Sequence, residues 1–237
     1  MTPDQLRERV AIACRAIAME GFVDLTLGHV SARNPGERTV WIKRKGVALD
    51  EVEPADVIAL DLEDSEALAS SAYHLESVMH TQVYCARPDV GSVIHGHPVY
   101  ATALGATTAR LELLTHDAVL FSDGIGDYDE GPALVTEAAQ GKRVAAALGN
   151  RRAALLRNHG VVIAGEDVRW SVLTAVTLER AIRFQVIASA LGPTRPISQA
   201  VAEQLRPQKY QDAFLDDYWA MWVRRVERSR RSNAWSD

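Results

Sequence analysis

The succession of hydrophobic periods constrains this chain more than any other feature. Residues 4–19 place apolar side chains at Leu6, Val10, Ile12, Ala13, Ile17 and Ala18, the spacing of an amphipathic helix, with an end predicted around Gly21. The pattern then changes to strands. Residues 28–34 alternate, Pro35-Gly36 supplies a turn and residues 39–42 are β-branched and aromatic, which predicts a hairpin. Lys43-Arg44-Lys45-Gly46 reads as a basic loop closing it, and residues 57–60 as a further strand. Residues 71–85 have helical spacing that Arg87-Pro88 stops, because the residue before proline is pushed out of the helical region. Short strands are predicted at 90–95, 118–121 and 153–156, and a helix at 136–148. Residues 167–191 and 200–231 read as nearly continuous helix, interrupted at Gly192-Pro193 and near Pro207. Helix, strands, helix, strands, helices describes a mixed α/β domain whose central sheet is covered on its faces by helices.

With 237 residues, 47% of them hydrophobic, the chain is long enough for one sizeable core, and residues 1–237 are expected to form a single domain. Acidic side chains outnumber basic ones by 31 to 26, so no broad cationic surface is available for a phosphate backbone. Nucleic acid is excluded as a first expectation. Apolar runs are short and interrupted, and the N-terminus leads into a charged helix, so a cytoplasmic protein without membrane contact is expected. Cys14 and Cys85 form no CxxC pair and read as small core residues.

Three stretches carry chemistry. His95 and His97 stand at i and i+2 at a strand end, where both imidazoles project from one face and can close on one ion; otherwise one is core and one is surface. Asn158-His159-Gly160 lies between the apolar runs at 153–156 and 161–163, a position that suits a site histidine or a satisfied buried one. Three neutral imidazoles with an open position suit Zn²⁺ or a related divalent ion that must also bind substrate. Glu76, near the start of the predicted helix at 71–85, can shuttle a proton if burial lifts its pKa toward neutrality; a solvated helix glutamate is the plain alternative.

In order, Gly28-His29-Val30-Ser31-Ala32-Arg33, Glu76, Arg87-Pro88-Asp89-Val90, His95-Gly96-His97-Pro98 and Leu156-Arg157-Asn158-His159-Gly160 resemble the class II aldolase/adducin superfamily over roughly residues 5–190. The resemblance implies a three-layer α/β/α sandwich with a mostly antiparallel sheet of nine-stranded type and a helical C-terminal region. It also implies a divalent ion (Zn²⁺ or Mn²⁺, with Fe²⁺ or Co²⁺ as alternatives) on His95, His97 and His159, and Glu76 as acid/base. Members are typically homotetramers with the site near a subunit interface, so the helices at about 198–231 are expected to pack on this domain or on a neighbouring subunit.

The departures from the sugar-phosphate branch are informative. That branch has Asn after the first Gly, a Thr-Pro-Ser-Gly-like loop and Ser-Ser before the glutamate, where this chain has His29, Lys43-Arg44-Lys45-Gly46 and His74-Leu75. Lost hydroxyls and added cations point to a small anionic substrate bearing planar carboxylates, as in the branch that decarboxylates hydroxylated aromatic vicinal dicarboxylates. Decarboxylation and aldol cleavage share an enolate-like charge that a metal stabilises. Lys43, Arg44 or Lys45 is expected to hold the retained carboxylate; His29, Ser31 and His74 are further candidate substrate contacts, Arg33 and His116 weaker ones. His80, one turn after Glu76, is a candidate to orient it. Tyr210, Phe214, Tyr218, Trp219 and Trp222 read as a packing stripe of the last helix. A sugar-phosphate aldolase or 4-epimerase and a non-catalytic adducin-like scaffold are the alternative functions.

Overall fold

A computed structural model describes residues 1–64, 68 and 70–233. Helix α1 (Pro3–Met19) starts at a capping box, in which the Thr2 hydroxyl accepts from the Gln5 N–H and the Gln5 side chain accepts from the Thr2 N–H. Its apolar stripe, Leu6, Val10, Ala13 and Ile17, is fully buried. Strands β1 (His29–Ala32), β2 (Thr39–Lys43), β3 (Val57–Asp61), β4 (Ser92–Gly96), β5 (Gly126–Tyr128), β6 (Ala153–Leu156) and β7 (Gly160–Gly165) form one sheet in the order β3-β2-β1-β4-β7-β6-β5. Every pairing is antiparallel except β5 with β6.

Strand alternation sorts side chains between two cores. Val30, Ala32, Ile94, Val161 and Ile163 pack under α1 and α5 (Val168–Leu191), while Val40, Val93, Val162 and Ala164 pack under α2 (Ser77–Ala86) and α4 (Ala138–Leu148). The three-layer α/β/α arrangement expected from the sequence is thus present. The register places His29 of β1 directly opposite His95 of β4, so two imidazoles from segments 66 residues apart become neighbours. Helix α3 (Val99–Gly105) follows His97-Pro98, and its first turn is held by the buried Glu179 carboxylate of α5, which accepts from the Tyr100 and Ala101 N–H groups at 2.8 and 2.9 Å. That bond fixes the chain just beyond His97.

Several expectations are corrected. Residues 118–121 form a 3₁₀ turn, not a strand, because a four-residue apolar run is too short for periodicity to distinguish the two. The helix expected from residue 71 begins at Ser77, leaving Glu76 as its N-cap. Seven strands, not nine, make up the sheet among the described residues. Lys43 ends β2 instead of opening a loop. The C-terminal break falls at Tyr210-Gln211, between α6 (Gln199–Lys209) and α7 (Asp212–Asn233), with Pro207 still inside α6. Helix α3 and strand β5 had no sequence signal strong enough to predict.

Helix α7 docks on α1 and α5 of its own chain. Leu215, Trp222 and Val226 are buried in the core, Trp219 and Tyr210 pack against it, and Arg225 and Arg230 pair with Glu20, which caps α1, and with Glu8 of α1. Phe214 and Tyr218 stay exposed, so only part of the aromatic series is a packing stripe. Trp222→Ala is expected to lower unfolding stability by about 3–5 kcal/mol in urea titrations. A loss below about 1 kcal/mol, the range of surface changes, contradicts this docking.

Candidate metal centre and active site

Glu76, His95, His97 and His159 converge, their candidate ligand atoms all lying within 4.8 Å of one another. Ring centroids are 4.9 Å apart for His95 and His97, 5.1 Å for His95 and His159, and 5.1 Å for His97 and His159. Each imidazole arrives by a different local device. His95 is the penultimate residue of β4, and its Nδ1 donates to the Val161 carbonyl of β7 at 2.9 Å, which leaves Nε2 for the cluster. His97 lies just past the strand, and its Nδ1 donates to the Asp24 carboxylate at 2.6 Å, which likewise leaves Nε2 for the cluster. His159 sits in the three-residue turn between β6 and β7, where Asn158 takes a left-handed φ of 54°. Gly160 permits the approach: a Cβ there would lie 2.5 Å from His97 Cδ2 and 2.6 Å from the Gly96 carbonyl oxygen.

The donor set fits a divalent cation. His95 Nε2 and His159 Nε2 are buried and have no hydrogen-bond partner, although they lie 3.6 and 3.4 Å from the Glu76 carboxylate. Buried polar atoms are rarely left unpaired, and unpartnered imidazole nitrogens close to a carboxylate are a donor set that a cation would satisfy. The carboxylate partner of His97 resembles the outer-shell support that orients metal-ligating histidines.

Glu76 stands at the N-terminus of α2, its Oε1 accepting from the Val135 N–H at 2.9 Å. Burial pushes its carboxyl up, but the His159 and His95 rings and the Val135 N–H outweigh burial and hold it below the ordinary carboxylate range. This corrects the expectation of a pKa lifted toward neutrality: Glu76 rests as a carboxylate. Burial holds His95 below its ordinary value, with the Glu76 carboxylate opposing.

Beside these four residues opens a cavity of about 480 Å³. His29, His74 and Lys45 line it together with Leu27, Leu75 and Leu134, and these three leucines are each more than half exposed. Lys43 lies behind that wall, fully buried, its Nζ donating to His74 Nε2 and to the Thr26 carbonyl at 3.1 Å each. Burial lowers the Lys43 pKa to about 8, and burial with the Lys43 charge lowers His74 to about 4. Arg44 turns to Asp56 at 2.8 Å and does not line the cavity. Ser31 lies beneath, bonded to His80 and Tyr84. His80 bonds to His29 and Ser31 and not to Glu76, so the expectation that it orients the glutamate is corrected. Arg33 binds carbonyls of Tyr84, Arg87 and Val90, and His116 is exposed away from the site. Asp24 and the Val135 N–H were missed: one is an acidic residue in an apolar turn 73 positions from its partner, the other a main-chain atom.

A family model described as the class II aldolase and adducin N-terminal domain matches residues 8–186, and the chain belongs to that family. It is 32% identical over 83% of its length to 73% of a 4-hydroxy-3-prenylphenylpyruvate oxygenase/4-hydroxy-3-prenylbenzoate synthase of Streptomyces roseochromogenus subsp. oscitans. A 3,4-dihydroxyphthalate decarboxylase of Arthrobacter keyseri is 31% identical over 78% of this chain and 79% of its own. An L-fuculose phosphate aldolase of Methanococcus maripaludis is 28% identical over 76% of this chain and 94% of its own. The fold matches the crystal structure of an aldolase II superfamily protein from Pseudomonas syringae, with a TM-score of 0.82, 25% identity and coverage of 95% of this chain and 93% of that one. Among the described residues no helix is long and apolar enough to cross a membrane.

Two outcomes are expected. Gly160→Ala displaces His97 and weakens Zn²⁺ affinity in calorimetric titration by at least about 10-fold, the scale of disturbed ligand support, with the circular dichroism spectrum retained; unaltered affinity contradicts the packing described. The folded His74 takes a proton only near pH 4, the unfolded one near 6.5. The unfolded chain therefore binds more protons between those values, and stability falls as pH drops through them. Urea midpoints are expected to be lower near pH 5 than near pH 7, with the gap narrowed in His74→Gln; an equal gap in that variant contradicts the assignment.

Proposed function

We propose that this protein is a divalent-metal-dependent carbon–carbon lyase that removes one carboxylate from a hydroxylated aromatic vicinal dicarboxylate. The observation that carries this reading is the meeting of three imidazoles, two with orphaned buried Nε2 atoms, and an ionised carboxylate beside a cavity walled by leucines. His95, His97 and His159 would hold the ion, and Zn²⁺, Mn²⁺, Fe²⁺ and Co²⁺ all suit imidazole donors. When bound, it supplies a Lewis acid that stabilises negative charge on an oxygen next to the breaking bond.

Glu76 enters as the carboxylate and takes the proton of the ring hydroxyl. It returns that proton to the ring carbon bearing the departing carboxylate. As CO₂ leaves, the electrons of the broken C–C bond return through the ring to its oxygen, and solvent supplies the proton that restores the hydroxyl. The Val135 N–H anchors Glu76 Oε1 during these transfers. Leu27, Leu75 and Leu134 offer the ring an apolar wall, and Lys45 offers the retained carboxylate a charge at the rim. Of the three cations expected to hold that group, Lys45 is the one on the cavity, with Lys43 acting through His74. His29 and His74 face the substrate. The reading extends to a single-domain, cytoplasmic homo-oligomer, a tetramer by resemblance, acting in the breakdown of aromatic acids.

The dihydroxyphthalate decarboxylase relative supports the substrate class, and the fuculose phosphate aldolase relative sustains aldol cleavage of a sugar phosphate as the second reading. Metal-loaded protein is expected to release CO₂ from a panel of hydroxylated phthalate-type acids and no aldehyde from phosphorylated ketoses. Glu76→Gln should keep its metal and lose at least about 10²-fold in rate. Aldehyde without CO₂ establishes the aldolase reading instead. Absence of both activities and of bound metal leaves a scaffold.

A further inference from the structure

Inward from the cavity wall runs a line of buried polar side chains of which the chemistry above uses only the outermost, His29. His29 Nδ1 lies 2.7 Å from His80 Nε2, His80 Nδ1 lies 2.6 Å from Ser31 Oγ, and Ser31 Oγ lies 2.9 Å from Tyr84 Oη. His29 and Ser31 come from β1, His80 and Tyr84 from α2, one helical turn apart. None of the four is more than 1% exposed, so bulk water does not satisfy them, and every proton short of the cavity end at His29 must find an acceptor within the line.

That requirement sets the direction. The Tyr84 phenol is a donor in need of an acceptor, and Ser31 Oγ is its side-chain hydrogen-bond partner. The charged group stacked on its ring is the Arg33 guanidinium, which has no lone pair to give. Tyr84 therefore donates to Ser31. The Ser31 hydroxyl, having accepted, must place its own proton on His80 Nδ1, the remaining partner in reach. His80 Nδ1 then carries no proton, so a neutral His80 carries it on Nε2 and donates to His29 Nδ1. With Nδ1 of each ring accepting, neither ring carries a second proton. If the line ran the other way, Tyr84 would be left with a buried hydroxyl proton and no acceptor.

We infer that Tyr84, Ser31, His80 and His29 form a one-way hydrogen-bond chain that fixes the His29 proton on Nε2, making His29 a donor to an oxygen of the bound substrate. His29 lines the cavity and its Nδ1 is taken, so Nε2–H is the polar group it presents there. A neutral N–H selects an acceptor oxygen, whether carboxylate, carbonyl or phenolate, and rejects a group that offers only protons. Ser31, His80 and Tyr84 are positioning residues, acting through His29. The direction of the chain stands on the fold alone, whereas its use against substrate rests on the function proposed above.

The test is long-range ¹H–¹⁵N NMR on the full chain labelled in its histidines, with and without diamagnetic Zn²⁺. Both His29 and His80 are expected to be protonated on Nε2 and bare on Nδ1. A proton on His29 Nδ1 overturns the inference. In Ser31→Ala the donor to His80 is lost, and His29 is expected to populate both tautomers, with Ser31→Thr restoring the single one. An unchanged single tautomer in Ser31→Ala overturns the positioning role. If Ser31→Ala does not fold, the wild-type spectrum still decides the direction. In Zn²⁺-loaded protein, His29→Ala should weaken binding of the probe benzene-1,2-dicarboxylate by at least about 10-fold, the scale of one hydrogen bond to a charged group. Unaltered binding overturns the substrate role. The tautomer spectra use no substrate, so failure of every decarboxylation assay leaves them standing, and the reverse pattern rejects the chain while sparing the proposed function.

Discussion

Everything at this site depends on two imidazole nitrogens, His95 Nε2 and His159 Nε2, that have been taken out of water and left without a hydrogen-bond partner. An unpartnered buried polar atom is unfavourable by roughly 1–3 kcal/mol, and here His95 and His159 each hold one close to the carboxylate of Glu76. The surrounding fold keeps them in place. The Val161 carbonyl holds the proton side of His95 and the Asp24 carboxylate holds that of His97, while the absence of a side chain at Gly160 lets the two turns close on each other. A cation held by these side chains would resolve this arrangement without moving a strand.

The layered fold supplies the second condition, separation of polar chemistry from packing. Both faces of the sheet are buried, and one of them is interrupted at the central β1–β4 pair by His29, Ser31 and His95, where His29 and Ser31 meet His80 and Tyr84 of α2 and His95 faces Glu76 instead of methyl groups. Polar groups at that depth stay favourable only when bonded to one another, so the patch is ordered by its own hydrogen bonds. Glu179 on the opposite face does comparable service, tying α3 down where the chain leaves His97. The apolar leucines then confine the open volume to one side of the imidazoles.

Much of this was legible in the residues. Helices with a clear stripe, such as α1 and α5, were placed to within a residue or two, and the ordered motifs around His95, His97 and His159 pointed to one candidate site through the family resemblance they carry. What stayed hidden is what arises from three-dimensional closure. Lys43-Arg44-Lys45 looks like one basic loop, yet its members end in three environments: Lys43 buried behind His74, Arg44 on Asp56, Lys45 at the cavity. The net charge state of Glu76 depends on rings arriving from distant segments, so local burial alone pointed the wrong way. His80 shares a helical face with Glu76, but the β1 strand claims it first.

The most direct measurement is metal content joined to X-ray absorption at the metal edge on the purified, Zn²⁺-reconstituted chain. The account predicts one ion per chain with imidazole scattering from three histidines, falling to two in His159→Gln. Substoichiometric binding, or a coordination shell that is indifferent to that substitution, would contradict it.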